Sequence, residues 1–212
     1  LAATHSGICL FIDELGSNDG PINVYNTTGG TGKVRMSDSG GMRAQLRWSL
    51  FIMSTGEHSL VDKLEADSGK RAKGGQIIRA MDIPVAEVAS GLEDMTAGER
   101  NALVDTLKHR CGEVFGTFGP HFVQVFLDTF PTEAALSTAL KAEVGEQLKI
   151  LCQTVTETGY VLEAPHIRAI RRLALIRAIG LWAAPMLGVP EEAVAEAVDG
   201  DVVRSVGGRV RL

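Results

Sequence analysis

The stretch ICLFIDELG, positions 8–16, constrains the chain more than any other. Five apolar residues run straight into two adjacent carboxylates, Asp13 and Glu14. The length of the run, its β-branched residues and the glycine after Leu15 favour a buried strand over a helix. Carboxylates at the end of such a strand are costly to bury unless a cation or hydrogen bonds offset them. In open α/β sheets, ligands sit beyond the carboxyl ends of the strands. Asp13 and Glu14 are therefore expected to stand where a metal ion or a phosphate would be received.

Two further apolar runs follow. RAQLRWSLFIMSTGE places a second buried strand over positions 46–53, closed by Ser54, Thr55 and Gly56. QIIRAMDIP places a third over 77–83, ended by Pro84. Between them, Leu60, Val61 and Leu64 have helical spacing, Gly69 is the stop, and Glu57 or His58 serves as a cap. A short helix over 21–26 is expected to open at Pro21. Three strands separated by helix- or turn-length pieces predict a mainly parallel sheet covered on both faces. From about Thr96 the period changes. Leu103, Val104, Leu107 and Cys111 form one helical stripe, and 115–126 a second helix. Leu136 to Val155 repeat near every fourth position, another helix opens at Pro165, and EEAVAEAV follows Gly188 and Pro190. The expected fold is α/β followed by an α-helical bundle, with boundaries at 1–90, 91–199 and a tail over 200–212.

Composition excludes several classes. The chain has 212 residues and a net charge of −5, too acidic for a generally basic nucleic-acid coat but compatible with a local basic patch. Three widely spaced cysteines without a CxxC pair read as reduced thiols of a cytoplasmic protein. The tract LALIRAIGLWAAPML contains Arg177 and follows Arg171 and Arg172, so it reads as a core helix and not a membrane span. The five histidines show no HxxxH or HExxH spacing and no GxSxG elbow exists, which leaves zinc catalysis and hydrolytic triads unsupported.

An apolar strand ending in Asp-Glu is the Walker B pattern of P-loop ATPases. There the aspartate holds Mg²⁺, which neutralises β- and γ-phosphate oxygens, and the glutamate one residue on polarises the attacking water. The plainer reading makes Asp13 a turn cap and Glu14 a solvated charge. Ser54 or Thr55, ending the second strand at the same level, suits a γ-phosphate sensor, or simply a turn. GGTGK at 29–33 is not a phosphate loop, because GxxxxGK[ST] needs glycine at 27 and a hydroxyl at 34, where Thr27 and Val34 stand. A phosphate loop is expected before position 1. Lys33, Arg35, Arg43 and Arg47 bracket the GGTGK turn, opposed only by Asp38. They form either a nucleic-acid contact or a solvated face. Lys70, Arg71 and Lys73 lie between the second and third strands and Arg79 within the third, where an arginine can reach a neighbouring nucleotide as a finger.

Together FIDEL, GTGKVR, RWSLFIMSTGEHSLVD, GKRAKGGQIIRAMDIP and the later RRLALIRAIG resemble the domain-of-unknown-function family nine-two-seven over roughly positions 1–198. That family belongs to the P-loop ATPases near the AAA+ proteins and superfamily III helicases, and accompanies primases and helicases of phages and mobile elements. The resemblance implies a partial P-loop, AAA+-like sheet and a ring-forming homo-oligomer that uses ATP and Mg²⁺ to act on DNA, expected to be single-stranded. It places Asp13 on the metal, Glu14 on the water, Thr55 or Ser54 at the sensor, and Arg79 or Arg71 as the finger. Arg171 or Arg172 would reach the nucleotide from the helical lid. Lys33, Arg35 and Arg43 fall on a DNA-contacting hairpin. Lacking a phosphate loop, the stretch from position 1 is expected to be inactive alone. Two other classes stay open: a degenerate, non-catalytic module for DNA binding or assembly, and a Mg²⁺-dependent phosphatase or nuclease with Asp82 as its third acid.

Overall fold

The computed structural model describes residues 2–14, 28–34, 36, 41–69, 75, 79, 81–83 and 94–204. Among them are six α-helices and two parallel strands, in a chain that divides into two compact units, Leu1–Asp82 and Ile83–Arg211. The expected helix over 21–26 and the residues 205–212 lie outside the described residues.

In the first unit a short 3-10 turn, Ala2–His5, leads into β1, Cys9–Ile12. β1 pairs in parallel with β2, Phe51–Ser54, in a register that sets Ile12 opposite Ser54. β2 is shorter than the apolar run predicts. Residues 46–48 fold back on 30–32 instead: the Gly32 amide donates to the Leu46 carbonyl at 2.8 Å and the Trp48 amide to the Gly30 carbonyl at 2.9 Å. Thr31 and Arg47, and Met36 and Met42, form antiparallel bridges five positions apart on both arms, so the two bridges share one register. Gly30 sits at φ 70°, and a Cβ there would come within 3.0 Å of the Trp48 carbonyl, so only glycine allows this approach.

The sheet also departs from the expected two-sided cover. Leu10 is buried, but Phe11 is 69% and Met53 59% exposed on the other face of the strand pair. The expected third strand is absent from its described residues: Arg79 lies in a turn and 81–83 form no strand. Asp82 acts at a helix end instead. Helix α1, Leu60–Ser68, begins at Ser59, whose hydroxyl accepts the Asp62 amide at 3.0 Å, while Asp82 Oδ1 accepts the Leu60 amide at 2.9 Å. An acceptor carboxylate at these otherwise unpaired amides also matches the helix dipole. The cap is thus Ser59 and not Glu57 or His58. Gly69, left-handed at φ 62°, ends the helix as its position predicts.

The second unit is helical throughout its described length: α2 (Ala97–Glu113), α3 (Phe118–Thr129), α4 (Glu133–Glu157), α5 (Ala164–Leu187) and α6 (Glu191–Val202). The bundle core is α4, α5 and α6, with Leu151, Val155, Ile170, Leu173 and Val202 almost fully buried. Gly180 of α5 admits α6, since a Cβ there would meet the Val194 side chain at 2.8 Å. Phenylalanines at every fourth position, 118, 122, 126 and 130, stack along α3, and the last two meet Trp182 of α5 at centroid distances of 5.4 and 5.8 Å. The predicted stripe on α2 stays exposed or half-buried. The expected tail from 200 begins as the last turn of α6.

Arg177 ties the core together. Only 7% exposed, it donates through Nη1 to Gln147 of α4 at 2.6 Å and through Nη2 to Asp199 of α6 at 3.4 Å. No helix of the described residues is long and apolar enough to cross a membrane. Because a buried cation stripped of its partners, or partners stripped of their cation, is strongly penalised, Arg177→Ala is expected to destabilise the protein by about 3–5 kcal/mol in urea unfolding. Exposed Lys141→Ala should stay within about 0.5 kcal/mol of the parent.

A second expectation concerns acid. At the start of α2, Thr96 and Glu99 cap each other, the Thr96 amide donating to Glu99 Oε2 at 2.7 Å. The Thr96 amide and then its hydroxyl hold the Glu99 carboxyl below its usual value. The lowered folded value means the cap contributes fully above the ordinary glutamate range and is lost as pH falls through the folded value. An NMR titration should show Glu99 titrating on the acid side of an ordinary glutamate, and Thr96→Ala should bring it only part of the way back, because the backbone amide that is the larger cause stays in place.

Candidate functional site

Parallel pairing decides what meets at the strand ends. With Ile12 level with Ser54, the next residues, Asp13 and Thr55, emerge side by side. The Thr55 amide donates to the Ile12 carbonyl at 3.2 Å, which extends the ladder by one step. The Thr55 hydroxyl then donates to Asp13 Oδ1 at 2.6 Å. The Glu14 amide closes the cluster, donating to both Asp13 Oδ1 at 3.1 Å and Thr55 Oγ1 at 3.0 Å.

This closure bends the chain. Glu14 has φ 46°, the one non-glycine residue in the left-handed region among those described. Such a conformation in a residue other than glycine costs about 1–3 kcal/mol and persists where surrounding bonds over-determine it. Here the two bonds from its own amide do so. Asp13 and Glu14 are both exposed, and the bonds on Asp13 fall on Oδ1, so Oδ2 is directed to no protein donor among the described residues.

A single carboxylate beside one hydroxyl suits a particular kind of cation. Mg²⁺ keeps several waters and takes one or two carboxylates together with substrate phosphates, whereas an all-protein site needs more donors. No group of three or more metal-ligating side chains exists among the described residues. The residues present fit a Mg²⁺ ion that arrives with phosphates and do not fit a self-sufficient metal centre. Asp82 supplies no third acid, because its carboxylate serves the α1 amide.

The remaining candidates divide. Ser54 ends β2 opposite Ile12 and is exposed. Arg79 turns its Nη1 onto the Gly75 carbonyl at 2.7 Å. Arg171 and Arg172 belong to α5 in the second unit, the first exposed and the second half-buried. Arg35 and Arg71 lie outside the described residues. Lys33 and Arg43 are exposed on the two folded-back arms. The register of those arms sets Gln45 opposite Lys33 and Arg43 diagonal to it. Both cations line a cleft of about 510 Å³ with Leu46 and Trp48, closed on one side by Ala2 and Ala3 of the N-terminal turn. Trp48 escaped the sequence reading. Its signal was an aromatic one residue from the basic run, masked by an apolar stretch that reads as strand.

Comparison with protein-family models, with curated proteins and with solved structures returns no match.

The strain at Glu14 generates a test. Glu14→Gly is expected to raise unfolding stability by about 1 kcal/mol, since glycine adopts this backbone freely. Thr55→Val should lower it by about 1 kcal/mol by removing the donor from Asp13 and the acceptor from the Glu14 amide. Urea unfolding of the two variants measures both.

Proposed function

We propose that the first unit is the C-terminal part of the nucleotide-binding core of a nucleic-acid-dependent ATPase, a helicase or translocase serving phage or mobile-element replication. The observation that carries this reading is the 2.6 Å bond between Thr55 and Asp13 at the carboxyl end of a parallel strand pair. Thr55 orients the carboxylate and leaves Oδ2 facing outward, where it would hold a water of a Mg²⁺ ion bound to ATP. That ion, when present, neutralises charge on the β- and γ-phosphates.

The chain's own residues supply the rest. Glu14 would accept a proton from the attacking water. The Thr55 hydroxyl has one proton, which it gives to Asp13, so sensing the γ-phosphate would require that bond to switch, with Ser54 the alternative sensor. The finger is assigned to Arg71 or Arg79, acting on a neighbouring copy in a ring, and Arg171 or Arg172 to the nucleotide. Lys33, Arg35 and Arg43 would meet single-stranded DNA. The reading requires a phosphate-binding loop, expected in sequence before position 1.

A second reading keeps DNA binding and drops catalysis. It draws on the cleft of Lys33 and Arg43, which is built from residues other than the acid pair. Hydrolysis separates the two. The full-length polypeptide is expected to hydrolyse ATP with a DNA-stimulated rate. Glu14→Gln should lower turnover by at least about 10²-fold while ATP still binds. Normal turnover in that variant would remove Glu14 from the chemistry, and salt-dependent DNA binding without any ATP binding would favour the non-catalytic module.

A further inference from the structure

The cleft between the folded-back arms and the N-terminal turn has a chemistry of its own. Its walls combine two cations, Lys33 and Arg43, with the indole of Trp48 and the aliphatic surface of Leu46 and Ala2. It contains no carboxylate, so it is unsuited to a metal ion. Its volume is about 510 Å³ and it is half open to solvent. No ion pair among the described residues neutralises Lys33 or Arg43.

The backbone holds this arrangement in place. The Trp48 amide is fixed to Gly30 at 2.9 Å, and the absence of a side chain at Gly30 lets the strands approach. The Trp48 ring edge passes 3.6 Å from where a Cβ on Gly32 would stand, an ordinary contact distance that sets the ring beside the opposite arm. On the far arm, Gln45 Nε2 donates to the Gly32 carbonyl at 2.9 Å and holds the two arms together at the level of Lys33.

We propose that this cleft is a single-nucleotide subsite for single-stranded nucleic acid, in which one base stacks on Trp48 and its flanking phosphates meet Lys33 and Arg43. The proposal rests on the reading of the first unit as nucleic-acid-binding and specifies how that binding occurs. Stacking on an aromatic face beside a cationic track is the general mode of sequence-tolerant single-strand binding. A duplex keeps its bases paired and stacked, so its bases do not enter.

The chain has two tryptophans, Trp48 and Trp182. Trp182→Phe therefore makes Trp48 the sole indole reporter, with folding checked by circular dichroism. Titrating this variant with oligothymidylate, without ATP, is expected to quench its fluorescence, with duplex DNA of the same length at least about tenfold weaker. In fluorescence anisotropy with labelled oligothymidylate on the parent background, Trp48→Leu should weaken binding about tenfold and Trp48→Phe far less. Lys33→Gln and Arg43→Gln should each reduce the slope of log K against log salt by about 0.7. Unchanged affinity in Trp48→Leu would overturn the proposal. So would inorganic phosphate or polyglutamate competing as well as oligothymidylate, which would mark an anion site or an acidic-peptide site instead. ATP takes no part in the titration, so failure of the ATPase reading leaves these outcomes distinct.

Discussion

The parallel register that sets Ile12 opposite Ser54 is the constraint on which the first unit's chemistry depends. Both strands point the same way, so the residue after each emerges at one edge. Shifting the register by a single residue would turn every side chain to the other face and separate Asp13 from Thr55. Once the register is fixed, three polar groups converge with no long-range search: the Asp13 carboxylate, the Thr55 hydroxyl and the Glu14 amide. The cluster satisfies itself on one carboxylate oxygen and leaves the other toward solvent. Glu14, left-handed at φ 46°, carries a local strain that the two bonds from its own amide hold in place.

The second unit is organised by a different polar interaction. Its core would otherwise be alanine and aliphatic side chains on three helices, which pack with little to select one rotation over another. Arg177 bridges them, reaching Gln147 on one neighbour and Asp199 on the other. A buried ion pair is weak evidence of stability, but losing one member leaves an uncompensated polar group. His166 plays a smaller version of the same part. Buried at the start of α5, its Nδ1 accepts the Glu163 amide at 3.0 Å, while its Nε2 lies 3.4 Å from the Tyr160 hydroxyl.

Much of this was legible in the sequence, and the limits have physical causes. β1 and its acidic end follow from an apolar run meeting Asp13. The helices follow from their period and from Gly69, Pro165 and Gly188, because local propensity and capping decide helix ends. The length of β2 was not legible. An apolar run cannot say whether its amides pair with a parallel neighbour or fold back, and the Trp48 amide goes to Gly30. The run at 77–83 misled in its described part for a similar reason: Asp82 is drawn to the amides of α1, 22 positions away, and no local pattern announces that. Arg177 told from the sequence only that its apolar helix does not cross a membrane; nothing nearby named Gln147 or Asp199 as its partners. The backbone of Glu14 had no signal at all, since glutamate is not a residue that favours the left-handed region.

The central claim is that Asp13, oriented by Thr55, receives a divalent cation only together with nucleotide phosphates. Electron paramagnetic resonance of Mn²⁺ with the full-length protein tests it directly. The account predicts little bound Mn²⁺ alone, a bound signal when ADP or ATP is added, and loss of that signal in Asp13→Ala. Tight Mn²⁺ binding without nucleotide, or an unchanged Mn²⁺–nucleotide signal in Asp13→Ala, would contradict it.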